Sequence, residues 1–130
     1  MFLPPIRVVA RQSTSALAVE DPVVAAALHY IRRHVADRLS VAWIAAELAV
    51  RRRALEQKFH AHLGTSVLAE IHRARVNEAK ELLAATDMKI SQIARRSGFS
   101  TPQRLAVVFR RLEGMTPNAY RHQSRLQDGD

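Results

Sequence analysis

Two groups of side chains in this sequence have the types and spacing to grip a polyanion. The first is Arg52, Arg53, Gln57 and Lys58; the second is Gln103, Arg104, Arg110 and Arg111. A guanidinium fork pairs bidentately with a phosphate or with the guanine O6/N7 edge, and a glutamine amide pairs with adenine N6/N7. The chemistry on offer is therefore recognition. Bond-making chemistries lack their parts. The chain has no Cys, which removes disulfide frameworks, Cys-ligated zinc and thiol catalysis together. His60 and His62 stand two residues apart, so they cannot share a helix face, and no HExxH, GxSxG, P-loop or GxGxxG spacing occurs. His29, His34, His72 and His122 are scattered and expected at the surface. No catalytic residue, metal site, cofactor or small-molecule ligand is expected, and the chain does not read as an enzyme.

Charge supports a polyanionic partner. Lys+Arg outnumber Asp+Glu by 20 to 12, for a formal net charge of +8. That is a large excess for so small a chain and fits nucleic acid. Only Lys58, Lys80 and Lys89 are lysines among the 20 cations. A codon bias toward arginine would explain that ratio equally well, but not the net charge. No apolar run approaches the ~20 residues of a membrane span. The start, Met1-Phe2-Leu3-Pro4-Pro5, lacks an apolar signal core. Membrane partnership and export are not expected; a cytoplasmic, nucleoid-associated protein is.

The elements that must position these groups are all helical. Hydrophobic residues make up 48% of the 130, helix formers dominate, and Gly (4) and Pro (5) are few. Asp21-Pro22 opens a helix over about 22–37, with Asp as N-cap and Pro in the first turn. Further helices are predicted at 41–48 after Ser40, at 52–63 before Gly64, at 67–86 after Thr65 or Ser66, at 90–97 before Gly98, at 101–113 before Gly114, and at 117–122. The long helix should carry a core stripe of Leu68, Ile71, Val76, Ala79, Leu82 and Leu83. Residues 1–20, with a short extended piece at Ile6–Ala10, read as an extended linker or the stub of something missing. Residues 123–130 read as a flexible tail, and a single domain over 21–122 remains.

Within it a pattern repeats about 50 residues on. Ile44-Ala45, a turn, Leu55, Phe59, Gly64 and Ser66 are echoed by Ile93-Ala94, a turn, Leu105, Phe109, Gly114 and Thr116. Leu to Phe is four residues and Phe to Gly five in both. A short helix, a tight turn and a longer helix, with Ala where the two approach, is the helix-turn-helix pattern. The second helix of such a unit enters the DNA major groove while the first crosses the backbone. The fold class is thus all-α: seven helices forming two helix-turn-helix subdomains, about 21–64 and 87–122, joined by the linker helix. At ~1.5 Å per residue that linker is roughly 30 Å long, close to the ~34 Å of one DNA turn. One chain, as a monomer, could then read an asymmetric duplex site. The bland alternative is a helical bundle with a basic, solvated surface.

Residues 25 to 122 resemble the AraC-type (arabinose-regulator) DNA-binding domain end to end. The most specific stretch is Ile90-Ser91-Gln92-Ile93-Ala94, then Gly98-Phe99-Ser100, Phe109-Arg110-Arg111, Gly114-Met115-Thr116-Pro117 and Tyr120-Arg121. The resemblance implies base-edge readers at Arg52, Arg53 and Gln57 in the first unit and at Gln103, Arg104 and Val107 in the second. It also implies transcription activation through contact with RNA polymerase. Two positions depart from the family pattern. Arg51 stands where relatives carry a small capping hydroxyl, which weakens the cap by ~1 kcal/mol. Val107 replaces a polar or basic reader, and touches either a thymine methyl or nothing. Residues 4–21 resemble the junction in xylose-type regulators between a sugar sensor and this domain, which implies that residues 1–20 are the remnant of a missing sensor domain.

Phosphate contacts are expected from helix N-termini and nearby cations: Ser40 with Val41, Arg51, Lys89 with Ile90, Thr101, and Arg110 or Arg111. Each could equally be merely solvated. Trp43 reads as a packing anchor rather than a stacking platform. Glu47, Glu56 and Glu113 read as partners in i,i+4 pairs, Glu47–Arg51 among them. Two rivals to sequence-specific DNA binding are a non-specific nucleic-acid or RNA binder and a sensorless protein-interaction module. RNA modules usually expose aromatics, whereas the aromatics here fall at core positions.

Overall fold

The computed structural model describes residues 21–128. The expectations for residues 1–20, including the extended piece at 6–10, lie outside the described residues. The rest is seven helices: α1 Pro22–Arg33, α2 Val41–Glu47, α3 Arg52–Leu63, α4 Val67–Ala85, α5 Ile90–Arg96, α6 Pro102–Glu113 and α7 Pro117–Asp128. Among the described residues there is no strand.

Helix ends fall where backbone groups find partners. The Asp21 carboxylate accepts from the N–H groups of Val23 (2.8 Å) and Val24 (3.4 Å) and starts α1. Ser40 Oγ accepts from Trp43 N at 3.0 Å and Thr101 Oγ1 from Arg104 N at 3.1 Å, which caps α2 and α6. Gly64 and Gly114 close α3 and α6 at φ +69° and +77°, the left-handed stop that glycine adopts without a Cβ penalty. The start of α4 is held by Glu56, whose Oε1 accepts from Val67 N at 3.1 Å. Fifty residues on, the matching first residue of α7 is Pro117, which has no N–H to satisfy, and Ala106 stands in place of Glu56.

The described residues divide into two compact units, 21–30 with 40–67 and 31–39 with 68–128. The first unit buries Val24, Ala27, Leu28, Val41, Ile44, Ala45, Leu55, Phe59 and Val67. The second is built on Val76, Ala79 and Leu83 of α4, Ile93 and Ala94 of α5, Phe99, and Leu105, Val108 and Phe109 of α6. Phe59 and Phe109 are both fully buried at equivalent points of the repeat, and truncating either to Ala costs about 3–5 kcal/mol.

Several boundaries differ from the sequence reading, each for a local reason. The first helix stops at Arg33, not at 37, because the chain tightens into turns: His34 N donates to Ile31 O and Asp37 N to His34 O. Helix α4 is more than a bare connector. Its Val76, Ala79 and Leu83 belong to the second core, so the second unit starts well before residue 87. Leu68, expected in the stripe, is 50% exposed, because Val67 one residue earlier takes the buried place four before Ile71. Helix α7 runs on to Asp128, well beyond 122. Arg125 fastens it, through an ion pair with Asp87 (2.7 Å) and a bond to Thr86 O (2.7 Å), and Arg121 reaches Leu83 O (3.1 Å) and Thr86 O (3.0 Å). These arginines occupy the orphan carbonyls at the end of α4.

Candidate nucleic-acid interface

In the first unit, Leu55 and Phe59 turn one face of α3 inward and leave Arg52, Arg53 and Gln57 exposed on the other. Lys58, which the sequence grouped with them, is committed elsewhere. Its Nζ lies 2.6 Å from Asp21 Oδ2 and ties α3 to the start of α1, with His62 Nε2 3.8 Å from the same oxygen. The Lys58 bond, more than the Val23 and Val24 amides, holds the Asp21 carboxyl below its ordinary 3.8. Arg51 occupies the N-cap position in extended conformation (φ −75°, ψ +143°) and makes no side-chain cap bond. The guanidinium is exposed and the first-turn amides of α3 lack the hydroxyl that Thr101 supplies to α6.

In the second unit, Leu105, Val108 and Phe109 are buried while Gln103, Arg104, Val107, Arg110 and Arg111 are exposed, Val107 by 57%. The outward faces of α3 and α6 carry no competing acid. The single carboxylate on α3, Glu56, is turned to the amide of Val67. The single one on α6, Glu113, pairs with Lys80 at 3.2 Å. Neither forms the i,i+4 pair expected of it, and no Glu47–Arg51 ion pair occurs among the described residues.

The expected phosphate contacts fall at exposed positions: Ser40, Arg51, Lys89, Thr101, Arg110 and Arg111. Val41 is buried and Ile90 partly so, which leaves their backbone N–H groups as what they could offer. The Lys89 N–H itself donates to Gln92 Oε1 at 3.4 Å. Trp43 is 36% exposed and meets Tyr30 edge to face, with centroids 5.9 Å apart, as a packing anchor would.

The two turns share one construction with different residues. Val50 N donates to Ala45 O (3.0 Å) and Phe99 N to Ala94 O (2.8 Å). Ala49 at φ +57° and Gly98 at φ +92° stand at the same place. Gly98 also lies against the Val35 carbonyl, and a Cβ there would run into that oxygen and into Arg75 Nε at 2.6 Å. Arg75 itself donates to Val35 O (3.2 Å) and Asp37 O (2.9 Å).

Two further residues had no signal in the sequence. Ser97 is fully buried and donates to Ile93 O (2.7 Å) and Ala94 O (3.3 Å). His72, expected at the surface, is partly buried on α4, and its Nδ1 lies 3.3 Å from Arg111 Nη2 of α6. Burial, and then the charges of Arg111, Arg104 and Arg75, push it below the ordinary 6.5 of histidine. Among the described residues no group of three or more His, Asp or Glu is placed to hold a metal ion, and no helix is long and apolar enough to cross a membrane.

Comparison with known proteins places this geometry among relatives. A family described as "Helix-turn-helix domain" matches residues 44–123. The xylose operon regulatory protein of Escherichia coli K12 is 32% identical over 121 residues, which cover 93% of this chain and 31% of the regulator. The chain thus spans about a third of the length of that curated relative. The C-terminal domain of AraT, a response regulator from Geobacillus stearothermophilus, superposes with a TM-score of 0.77 at 31% identity, covering 79% of this chain and 86% of that one. The DNA-binding domain of AdpA, a global transcriptional factor solved in complex with a target DNA, gives 0.76 at 30% identity over 83% of this chain and 96% of its own.

Proposed function

Given that this chain belongs to the AraC-type family of helix-turn-helix DNA-binding domains, we propose that it binds double-stranded DNA sequence-specifically and regulates transcription. In this reading α3 and α6 are recognition helices, each entering a major groove. Arg52, Arg53 and Gln57 read bases in one half of the site, and Gln103, Arg104 and Val107 read the other. Arg51, Arg110, Arg111, Lys89 and the hydroxyls of Ser40 and Thr101 hold the backbone; Val41 and Ile90 add main-chain N–H groups. The observation that supports this best is the repeated frame of α3 and α6. In both, buried Leu and Phe four residues apart leave an outward face of Arg and Gln with no acid competing for them.

Activation through RNA polymerase, action as a monomer, and a cytoplasmic place on the nucleoid complete the proposal. They draw on the family and on the net charge of +8. Selection of bound duplexes from a random pool is the test. An asymmetric site with two half-motifs is expected. Recovery of sequences with no shared motif would refute the reading.

A further inference from the structure

We infer that His72 is a further residue of the DNA interface: it positions the Arg111 guanidinium beside the recognition helix α6 and takes up a proton when a DNA phosphate docks there. The inference rests on the DNA-binding reading above and adds a residue, and a proton, that neither the family pattern nor the sequence assigned to it. Arg104 and Arg111 are seven residues apart on α6, close to two full turns, so they share one face with Val107 between them. His72 projects from α4 onto this stripe, with Nδ1 3.3 Å from Arg111 Nη2. An arginine N–H can only donate. The bond therefore requires an unprotonated Nδ1, a neutral ring carrying its proton on Nε2.

The surroundings keep the ring neutral. Burial acts first, and the charged groups that act on it are Arg111 and Arg104 from α6 and Arg75 from its own helix, all cationic. A phosphate drawn to Arg104 and Arg111 reverses the sign of that field. Arg111 then turns its N–H from Nδ1 to the phosphate, the freed Nδ1 takes a proton from solvent, and the imidazolium N–H joins Arg111 as a second charge-assisted donor to the phosphate oxygens. Because the complex holds the proton more tightly than the free protein, DNA binding must strengthen as pH falls through the histidine range. Arg111 alone would give a contact indifferent to pH.

The experiment is fluorescence anisotropy of the full chain with a labelled duplex recovered from the random-pool selection, at fixed ionic strength, between about pH 8 and pH 6. Wild type should bind roughly threefold or more tightly at the lower pH. In His72→Gln the amide oxygen still accepts from Arg111 but cannot take the proton. That variant should lose the His72 share of the pH dependence, whatever its affinity at the higher pH. A proton NMR titration of the His72 ring in wild type, free and DNA-bound, needs no variant to fold; its pKa should rise on binding. An equal pH dependence in wild type and H72Q, pH-independent binding by wild type, or a His72 pKa unmoved by DNA each overturns the inference and leaves DNA binding standing. Failure of wild type to bind any duplex at either pH overturns the DNA-binding reading, and the inference with it.

Discussion

At the residue scale, the two units are built on one plan with different side chains at matching places, so each serves as a control for the other. Gly98 and Ala49 hold the same left-handed turn position, and Gly98 also abuts the carbonyl of Val35. Ala49→Gly should stabilise the first unit by about 0.5–1 kcal/mol, because it relieves a non-glycine residue of a left-handed conformation. Gly98→Ala should destabilise the second by roughly 3 kcal/mol, since it adds both backbone strain and a clash. Thermal unfolding of the two variants reads the opposite signs; equal and small effects would mean that the turns are not strained as described. The N-caps form a second pair. Thr101 caps α6 and Arg51 leaves α3 uncapped. Arg51→Thr should gain up to about 1 kcal/mol of stability and weaken binding to duplexes of every sequence, because a cap replaces a phosphate-seeking charge. Chemical denaturation and anisotropy on the same variant check both halves.

At the element scale, what positions α3 and α6 is mostly long-range. Asp21 starts α1 with one carboxylate oxygen and grips Lys58 of α3 with the other. Its carboxyl is depressed in the folded state, chiefly by that lysine, so its stabilisation is complete above the ordinary value of 3.8 and is lost as pH falls through the lower folded value. Asp21→Asn can still cap α1 but carries no charge. The difference in Tm between wild type and D21N should be largest above about pH 4 and shrink toward zero as the solution is acidified further; a difference independent of pH would remove the ion pair from the account. These couplings also mark the limit of what the sequence could reveal. Caps, glycine stops and apolar spacing are local, and they located α2, α3, α5 and α6 to within a residue or so. The outward faces follow from that phase, since fixing Leu55, Phe59, Leu105 and Phe109 inward turns Arg53, Gln57, Arg104 and Val107 outward; the base-reading roles proposed for them come from the family resemblance. Lys58 with Asp21, His72 with Arg111, Gly98 against Val35, and Arg121 and Arg125 on Thr86 join residues tens of positions apart, and nothing in their local surroundings announces a partner. The polar composition of residues 123–128 reads as a tail for the same reason: the groups that hold it, Thr86 O and Asp87, lie far back in the chain.

At the scale of the whole molecule, a net charge of +8 supplies attraction to any duplex, and in the proposed reading discrimination comes from the exposed faces of α3 and α6. General affinity and specific recognition are thus separable, and removing a reader should cost preference at its own base pairs rather than affinity everywhere. The most direct measurement uses the duplex obtained by selection, with every base pair substituted in turn, against Gln57→Ala and Arg104→Ala. Each variant should lose about 1–3 kcal/mol on the selected site and relax preference at one or two base pairs, Q57A in one half-motif and R104A in the other. If both variants weaken all duplexes equally, or both relax the same half-motif, then α3 and α6 do not each read a groove.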